Sequence, residues 1–168
     1  MKQHSLASLD DNSTWHLKAE QQSLLLVSFK NTNELNYWHE KLGISPVILL
    51  TRSEQVYEVI FKIPEILWDI IEYAEKPLEV YLQHAKELPA SAFTPDKEVV
   101  INLLRNGELF HLLKPLRKPV FAFPISAKSL EGIAWPSEDN VLPLATNEIY
   151  PTQPKRLRLG LNGDIKFL

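Results

Sequence analysis

The chain contains no cysteine, and that absence removes four chemistries at once: disulfide crosslinks, thiolate-bound zinc, iron–sulfur clusters and a cysteine nucleophile. Glycine is scarce, 5 in 168 residues. No G-x-G-x-x-G or G-x-x-x-x-G-K-S/T string can be written, so the usual glycine-rich phosphate cradles are excluded. The histidines (His4, His16, His39, His84 and His111) share no ligand spacing. His39 and Glu40 begin an H-E pair, but no histidine follows at the zincin distance. Ser126 lacks the flanking glycines of a nucleophile elbow. Apolar runs are short as well. None approaches the roughly 20 residues that span a bilayer, and Met1 to Asp11 lacks the apolar core of a signal peptide. The sequence therefore predicts a cytoplasmic protein with no membrane partner.

What is present is ordinary globular composition, 45% hydrophobic and 23% charged. Charge is unevenly spread. Residues 1–84 carry 7 basic and 12 acidic side chains (net −5), and residues 85–168 carry 11 and 9 (net +2). The second half is the better place for an anion, through Lys114, Arg117 and Lys118 and through Lys155, Arg156 and Arg158. Lys114, Arg117, Lys118, Arg156 and Arg158 are accordingly the candidate RNA contacts, binding phosphates without reading bases. Of the tryptophans, Trp38 and Trp68 fall on apolar helical stripes and are expected in the core, whereas Trp15 and Trp135 stand in less regular sequence.

Short apolar runs alternate with amphipathic stretches, the pattern of an α/β fold. Strands are expected at Ser23–Phe29, Pro46–Thr51, Leu78–Leu82, Glu98–Leu103 and Pro119–Phe123. Helices are expected at Asn33–Leu42, capped by Asn33 and stopped by Gly43, at Ser53–Phe61, at Pro64–Glu75 with Tyr73 or Ala74 turned inward, and at Asn106–Leu113. Ser126 is placed to cap a short turn ending near Gly132. The proline-rich stretch from Trp135 to Pro154 reads as irregular. Asn162 and Gly163, between Arg156–Leu161 and Asp164–Leu168, have the chemistry of a type I′ hairpin turn.

From Ile70 to Gly132 the order of features resembles the YrdC-like threonylcarbamoyl-AMP synthases, often described as Sua-type translation factors. Glu75, Lys76, Pro77 and Leu78 stand where that family reads W-P-G-P-L/Y-T. The strand Glu79–Leu82 and the residues Lys86, Leu88 and Pro89 follow as its "k-x-l-p" does. Glu98–Leu103 occupies the place of its "v-x-v-R-l-P" strand. Leu109, Leu112, Leu113, Lys118, Pro119 and Val120 are similar to its step into the last core strand, and Ser126, Ala127 and Lys128 sit near its S-A-N. Tyr37 to Leu50 is loosely similar to its helix, lysine loop and strand. The resemblance implies one YrdC-like domain over 1–168, clearest at 70–132, with a twisted mixed sheet flanked by helices and a C-terminal hairpin at 156–168.

The departures fall on the functional positions. In place of the family's P-T-D-T-V-Y-G-L, Val27–Asn33 reads V-S-F-K-N-T-N and retains only Lys30 and Thr32 as polar remnants. The K-x-R clamp is reduced to Lys41, Asn102 replaces an arginine, and Lys128 stands near the S-A-N asparagine. An amide cannot replace the bidentate fork of a guanidinium on phosphate. The resemblance implies nucleotide or phosphate contacts at Lys30, Lys41, Arg52, Asn102, Ser126 and Lys128, no assigned catalytic residue, and tRNA or double-stranded RNA as partner. ATP and Mg²⁺ are implied where the family reaction is retained. Two functions are consistent with this pattern: a divergent nucleotide- or RNA-binding member, linked to threonylcarbamoyl modification of tRNA adenosine with weak or lost synthase activity, and a catalytically inert interaction module.

Overall fold

The computed structural model describes residues 6–130 and 140–168. Nine strands form one mixed sheet: β1 (Thr14–Lys18), β2 (Gln22–Ser28), β3 (Val47–Leu50), β4 (Leu78–Leu82), β5 (Val99–Leu103), β6 (Val120–Ser126), β7 (Val141–Pro143), β8 (Lys155–Leu159) and β9 (Ile165–Phe167). Their spatial order is β7-β1-β2-β6-β3-β5-β4-β8-β9. Four α-helices accompany them among the described residues: α1 (Thr32–Leu42), α2 (Val56–Val59), α3 (Ile66–Tyr73) and α4 (Gly107–Leu113). The expected α/β architecture, a mixed sheet flanked by helices, is the observed one.

Each face of the sheet carries its own apolar layer. On the first, Leu25, Val27, Ile48, Leu50, Val80, Ile101 and Phe121 pack against Leu35 and Trp38 of α1, Val56 and Val59 of α2, and Leu67 and Ile71 of α3. On the second, Leu24, Leu26, Val47, Leu49, Val100 and Val120 meet Leu109 and Leu113 of α4, Leu6 and Leu9 of an N-terminal 3₁₀ turn, and Tyr150. Central strands buried on both faces read as continuous apolar runs. All seven residues of β2 are buried.

Several local expectations are corrected. The cap of α1 is Asn31, not Asn33: its side chain accepts the Glu34 N–H at 3.1 Å. Gly43 does end the helix, at φ +68°. Tyr73 does not turn inward; it is exposed, and Ala74 is the half-buried residue. The hairpin turn is not type I′. The Gly160 N–H donates to Asp164 O and the Gly163 N–H to Gly160 O, with Gly163 alone at positive φ, which is a three-residue loop closed by a left-handed glycine. Two strands, β1 and β7, lie where no strand was expected, and they pair in parallel from His16–Val141 to Lys18–Pro143. Ser126 caps a 3₁₀ turn as expected, its Oγ accepting the Ser129 N–H. Trp38 is buried and Trp68 half-buried, while Trp135 and Gly132 lie outside the described residues.

His16 on β1 lies 2.8 Å from Ser23 Oγ through Nε2. Burial first, and the Lys18 charge second, hold its imidazole below the ordinary value of 6.5. The unfolded chain therefore takes up the proton before the folded one does. The stability tied to neutral His16 is complete above pH 6.5 and is lost as the pH falls below it. Denaturation midpoints are expected to drop from about pH 7 to about pH 5, with His16→Gln flattening that drop; an unchanged slope in the variant would contradict the assignment.

Candidate functional site

Alternation along β4 and β8 sorts their side chains by face. Leu78, Val80, Leu157 and Leu159 turn to the helical layer, which leaves Glu79, Tyr81, Arg156 and Arg158 on the other face. There Arg156 Nε donates to Glu79 Oε1 at 3.0 Å. Arg158 grips Glu98 with two bonds, Nε to Oε2 and Nη2 to Oε1, both 2.7 Å. Glu79 and Glu98 are 4% and 1% exposed. Carboxylates so buried require such partners, because an unpaired buried charge is costly.

Tyr150 spans this face. Its hydroxyl donates to Glu79 Oε2 at 2.6 Å and accepts from Asn102 Nδ2 at 2.9 Å. Its backbone is held by Gln22, whose Oε1 accepts the Ile149 and Tyr150 N–H groups and whose Nε2 donates to Tyr150 O. Burial, then the Glu79 carboxylate, pushes the phenol well above its ordinary range, so it stays a donor. Gln22 and Glu79 stand on β2 and β4, four strands (about 19 Å) apart across the sheet, and Glu79 is level with Ser28, six residues (about 20 Å) from Gln22 along β2, so a flat sheet with side chains roughly perpendicular to it would hold them about 28 Å apart. Their meeting on one residue makes this face concave, as strong sheet twist does.

A cleft of about 440 Å³ opens in the hollow, with Gln22, Glu79, Tyr81, Ser126, Tyr150 and Arg156 in its wall. A recess of about 220 Å³, lined by Lys41, Ile44, Ser126 and Ser129 among others, shares its Ile44–Ser126 border. Of the expected nucleotide contacts, Lys41 and Ser126 thus meet, and exposed Lys128 follows Ser126 at the same end. Lys30 and Arg52 lie elsewhere. Pairing of Ser28 and of Leu49 with Val120, and of Leu50 with Leu103, places them at the opposite end of the sheet, with Arg117 and Lys118. Asn102 is only 1% exposed; its Nδ2 serves Tyr150, and its Oδ1 is buried without a partner.

The expected RNA contacts also divide. Arg156 and Arg158 are held by the buried glutamates. At the far end Lys118 pairs with Glu58 at 2.5 Å, and Asp10 accepts the Arg117 and Lys118 N–H groups at 2.9 and 3.0 Å. Arg52 donates to Leu116 O and Arg117 O. Lys114 and Arg117 are exposed there and make no ion pair among the described residues.

The fold is shared with HypF. A solved structure of full-length HypF in a phosphate- and nucleotide-bound form superposes with a TM-score of 0.64 at 13% identity, over 96% of this chain. The chain spans 27% of the HypF chain it matches. The relationship is one of fold and distant. Neither a protein-family model nor a curated protein sequence matches the chain.

Sequence reasoning missed Gln22, Glu79, Glu98 and Tyr150 as members of the site. Leu78, Val80 and Leu82 alternate with Glu79 and Tyr81 in sequence, which puts Glu79 on the face opposite the leucines, but nothing in the proline-rich stretch marks Tyr150. Replacing Tyr150 by phenylalanine removes a bond to a buried carboxylate and strands Asn102 Nδ2. It is expected to lower unfolding stability by about 2 kcal/mol, measured by denaturant titration; a loss below about 0.5 kcal/mol would show that the tether is not needed.

Proposed function

We propose that this protein is a divergent YrdC-like member that binds a nucleotide in the concave cleft, with the family's synthase reaction weak or lost. The observation that carries the reading is the cleft's own charge balance. Arg156, the guanidinium in the cleft wall, is paired with Glu79, and Arg158 on the same face with Glu98, which leaves Lys41 and Lys128 as the cations near Ser126 without an ion pair among the described residues. Such a rim supports point-charge contact with a phosphate rather than the several converging cations that phosphate-centred catalysis requires. The residues do not fit a bound Mg²⁺. Glu79 and Glu98 are already engaged, and among the described residues no group of three or more His, Asp or Glu side chains could hold a metal. The fold likeness to a nucleotide-bound protein is consistent with this reading.

RNA binding is the second part of the proposal, with tRNA or a double-stranded RNA as the ligand the family resemblance implies. It runs through Lys114, Arg117 and Lys118 at the opposite end of the sheet. Few free cations mean few released counterions, so affinity is modest and is screened over about 8 Å at physiological salt. A second reading, an inert interaction module, is favoured by Tyr150, which fills the part of the hollow over Glu79 and Asn102.

Calorimetric titration with ATP or AMP is expected to give a dissociation constant on the order of 0.1 mM, weakened severalfold by Lys41→Ala. Pyrophosphate release dependent on threonine and bicarbonate is expected to be absent or at least about a hundredfold slow, since each lost charge-assisted phosphate contact removes about 1.5–3 kcal/mol. Robust threonine-dependent release would overturn the loss of catalysis. The absence of heat with either nucleotide would leave the inert module as the function.

Separately, alanine at Lys114, Arg117 and Lys118 together is expected to weaken double-stranded RNA retention about equally for all sequences. Unchanged retention in that variant would place the contact elsewhere.

A further inference from the structure

Among the described residues no strand pairs with the outer edge of β9. In β8–β9, Leu157 stands opposite Phe167, Arg158 opposite Lys166 and Leu159 opposite Ile165. The Leu168 N–H donates to Arg156 O at 2.9 Å and the Gly160 N–H to Asp164 O at 2.8 Å. Hydrogen-bonded and non-bonded positions alternate in an antiparallel ladder, so Asp164, Lys166 and Leu168 direct their backbone groups at β8. The N–H and C=O groups of Ile165 and Phe167 therefore point out of the sheet. Their side chains extend the apolar face of Leu157 and Leu159 into solvent, with Phe167 77% and Ile165 42% exposed beside Tyr73 at 75%.

We propose that a second copy of this chain pairs with this edge, β9 against β9 and antiparallel, about a two-fold axis at Ile165. Three features select that partner and that register. First, the axis sets Asp164 opposite the partner subunit's Lys166, twice by symmetry, and opposite charges across a strand pair are stabilising. Second, it sets Phe167 opposite the partner subunit's Gly163. Nothing lies within 4 Å of where a Cβ would stand on Gly163, and a cleft of about 410 Å³ opens beside it between Glu65, Ile66 and Asp69 of α3 and the turn residues Leu161 and Asn162. Each exposed phenyl ring thus has a vacant cleft to enter. Third, the groove between α3 and the hairpin is acidic at the Glu65 and Asp69 end and carries Lys76 and Lys155 at the other, with Glu75 also present there. Antiparallel pairing lays each acidic end toward the partner subunit's basic end. Moving the axis to Lys166 would instead oppose two lysines and leave the Gly163 clefts empty.

The chain has no cysteine, so single cysteines report the register cleanly. Across an axis at Ile165 the two Cα atoms would lie about 5.5 Å apart, within reach of a disulfide. Light scattering of the full chain is expected to give a dimer that dissociates on dilution. Phe167→Asp is expected to raise the dissociation constant at least about tenfold, and Ile165→Cys to crosslink under mild oxidation well ahead of Lys166→Cys. Circular dichroism confirms that each exposed-site variant is folded, and the cysteine pair tests the register independently of Phe167→Asp. A monomer at the highest soluble concentration, a dimer insensitive to Phe167→Asp, or preferential crosslinking at Lys166→Cys overturns the proposal.

Discussion

A single buried tyrosine decides the shape of the concave face. Tyr150 holds β2 through Gln22, β5 through Asn102 and β4 through Glu79, and Glu79 passes the connection on to β8 through Arg156. These side chains tie together strands that are not neighbours in the sheet, as Arg158 and Glu98 also do across β4, and they are nearly all satisfied. In a low-dielectric interior a network of this kind specifies one arrangement, because any displacement strands a buried carboxylate or amide. The exception is Asn102 Oδ1, buried without a partner, which shows that the fit around the tether is incomplete on the β5 side.

The same network sets the electrostatics of the hollow. Guanidiniums that stabilise transferring phosphates must be aimed at the ligand and left available to it. Here the two that face the hollow are committed to glutamates 77 and 60 residues away in sequence, with Glu98 bound by a complete fork. Their fields are largely cancelled before any ligand arrives. The scaffold shared with HypF is thus present with a concave face, while the guanidinium charge on that face is used to hold the sheet together. Fold and function separate at identifiable side chains.

The parts of the fold legible in sequence are those whose physics is local. Continuous apolar runs gave β2, β3, β5 and β6, because a strand buried on both faces has no other signature. Gly43 ended α1 because it stands in the left-handed region. The edges were opaque. In β1, Thr14, Trp15, His16, Leu17 and Lys18 offer a single fully buried apolar side chain, and β7 has three residues, so neither builds a periodic signal. The site was opaque for a different reason. Glu79, Glu98, Arg156 and Arg158 each look like a solvated surface charge in their own segment, and only the order of β5, β4 and β8 makes ion pairs of them. Reading Lys155, Arg156 and Arg158 as an anion-binding cluster counted charges correctly and missed the anions that the chain itself supplies.

The two edges of the sheet are finished in opposite ways. β7 is short, carries Pro143 with no N–H to offer, and so presents little to an approaching strand. β9 is equally short, but its outward backbone groups belong to Ile165 and Phe167, and its apolar side chains continue a buried layer beyond the last helix that covers it. Edge strands are commonly protected by charge, and here the lysine in β9 has Arg158 as its cross-strand neighbour, on the face away from the phenyl ring. Lys166 makes no ion pair among the described residues, and its cross-strand neighbour carries a like charge. The nearest acidic residue in sequence, Asp164 two positions before it, is hydrogen-bonded to Asn162 in the turn and still carries its charge at the edge. Charge, open backbone and exposed aromatic surface are therefore all unmatched at the same three residues, and only a strand of complementary pattern satisfies them together.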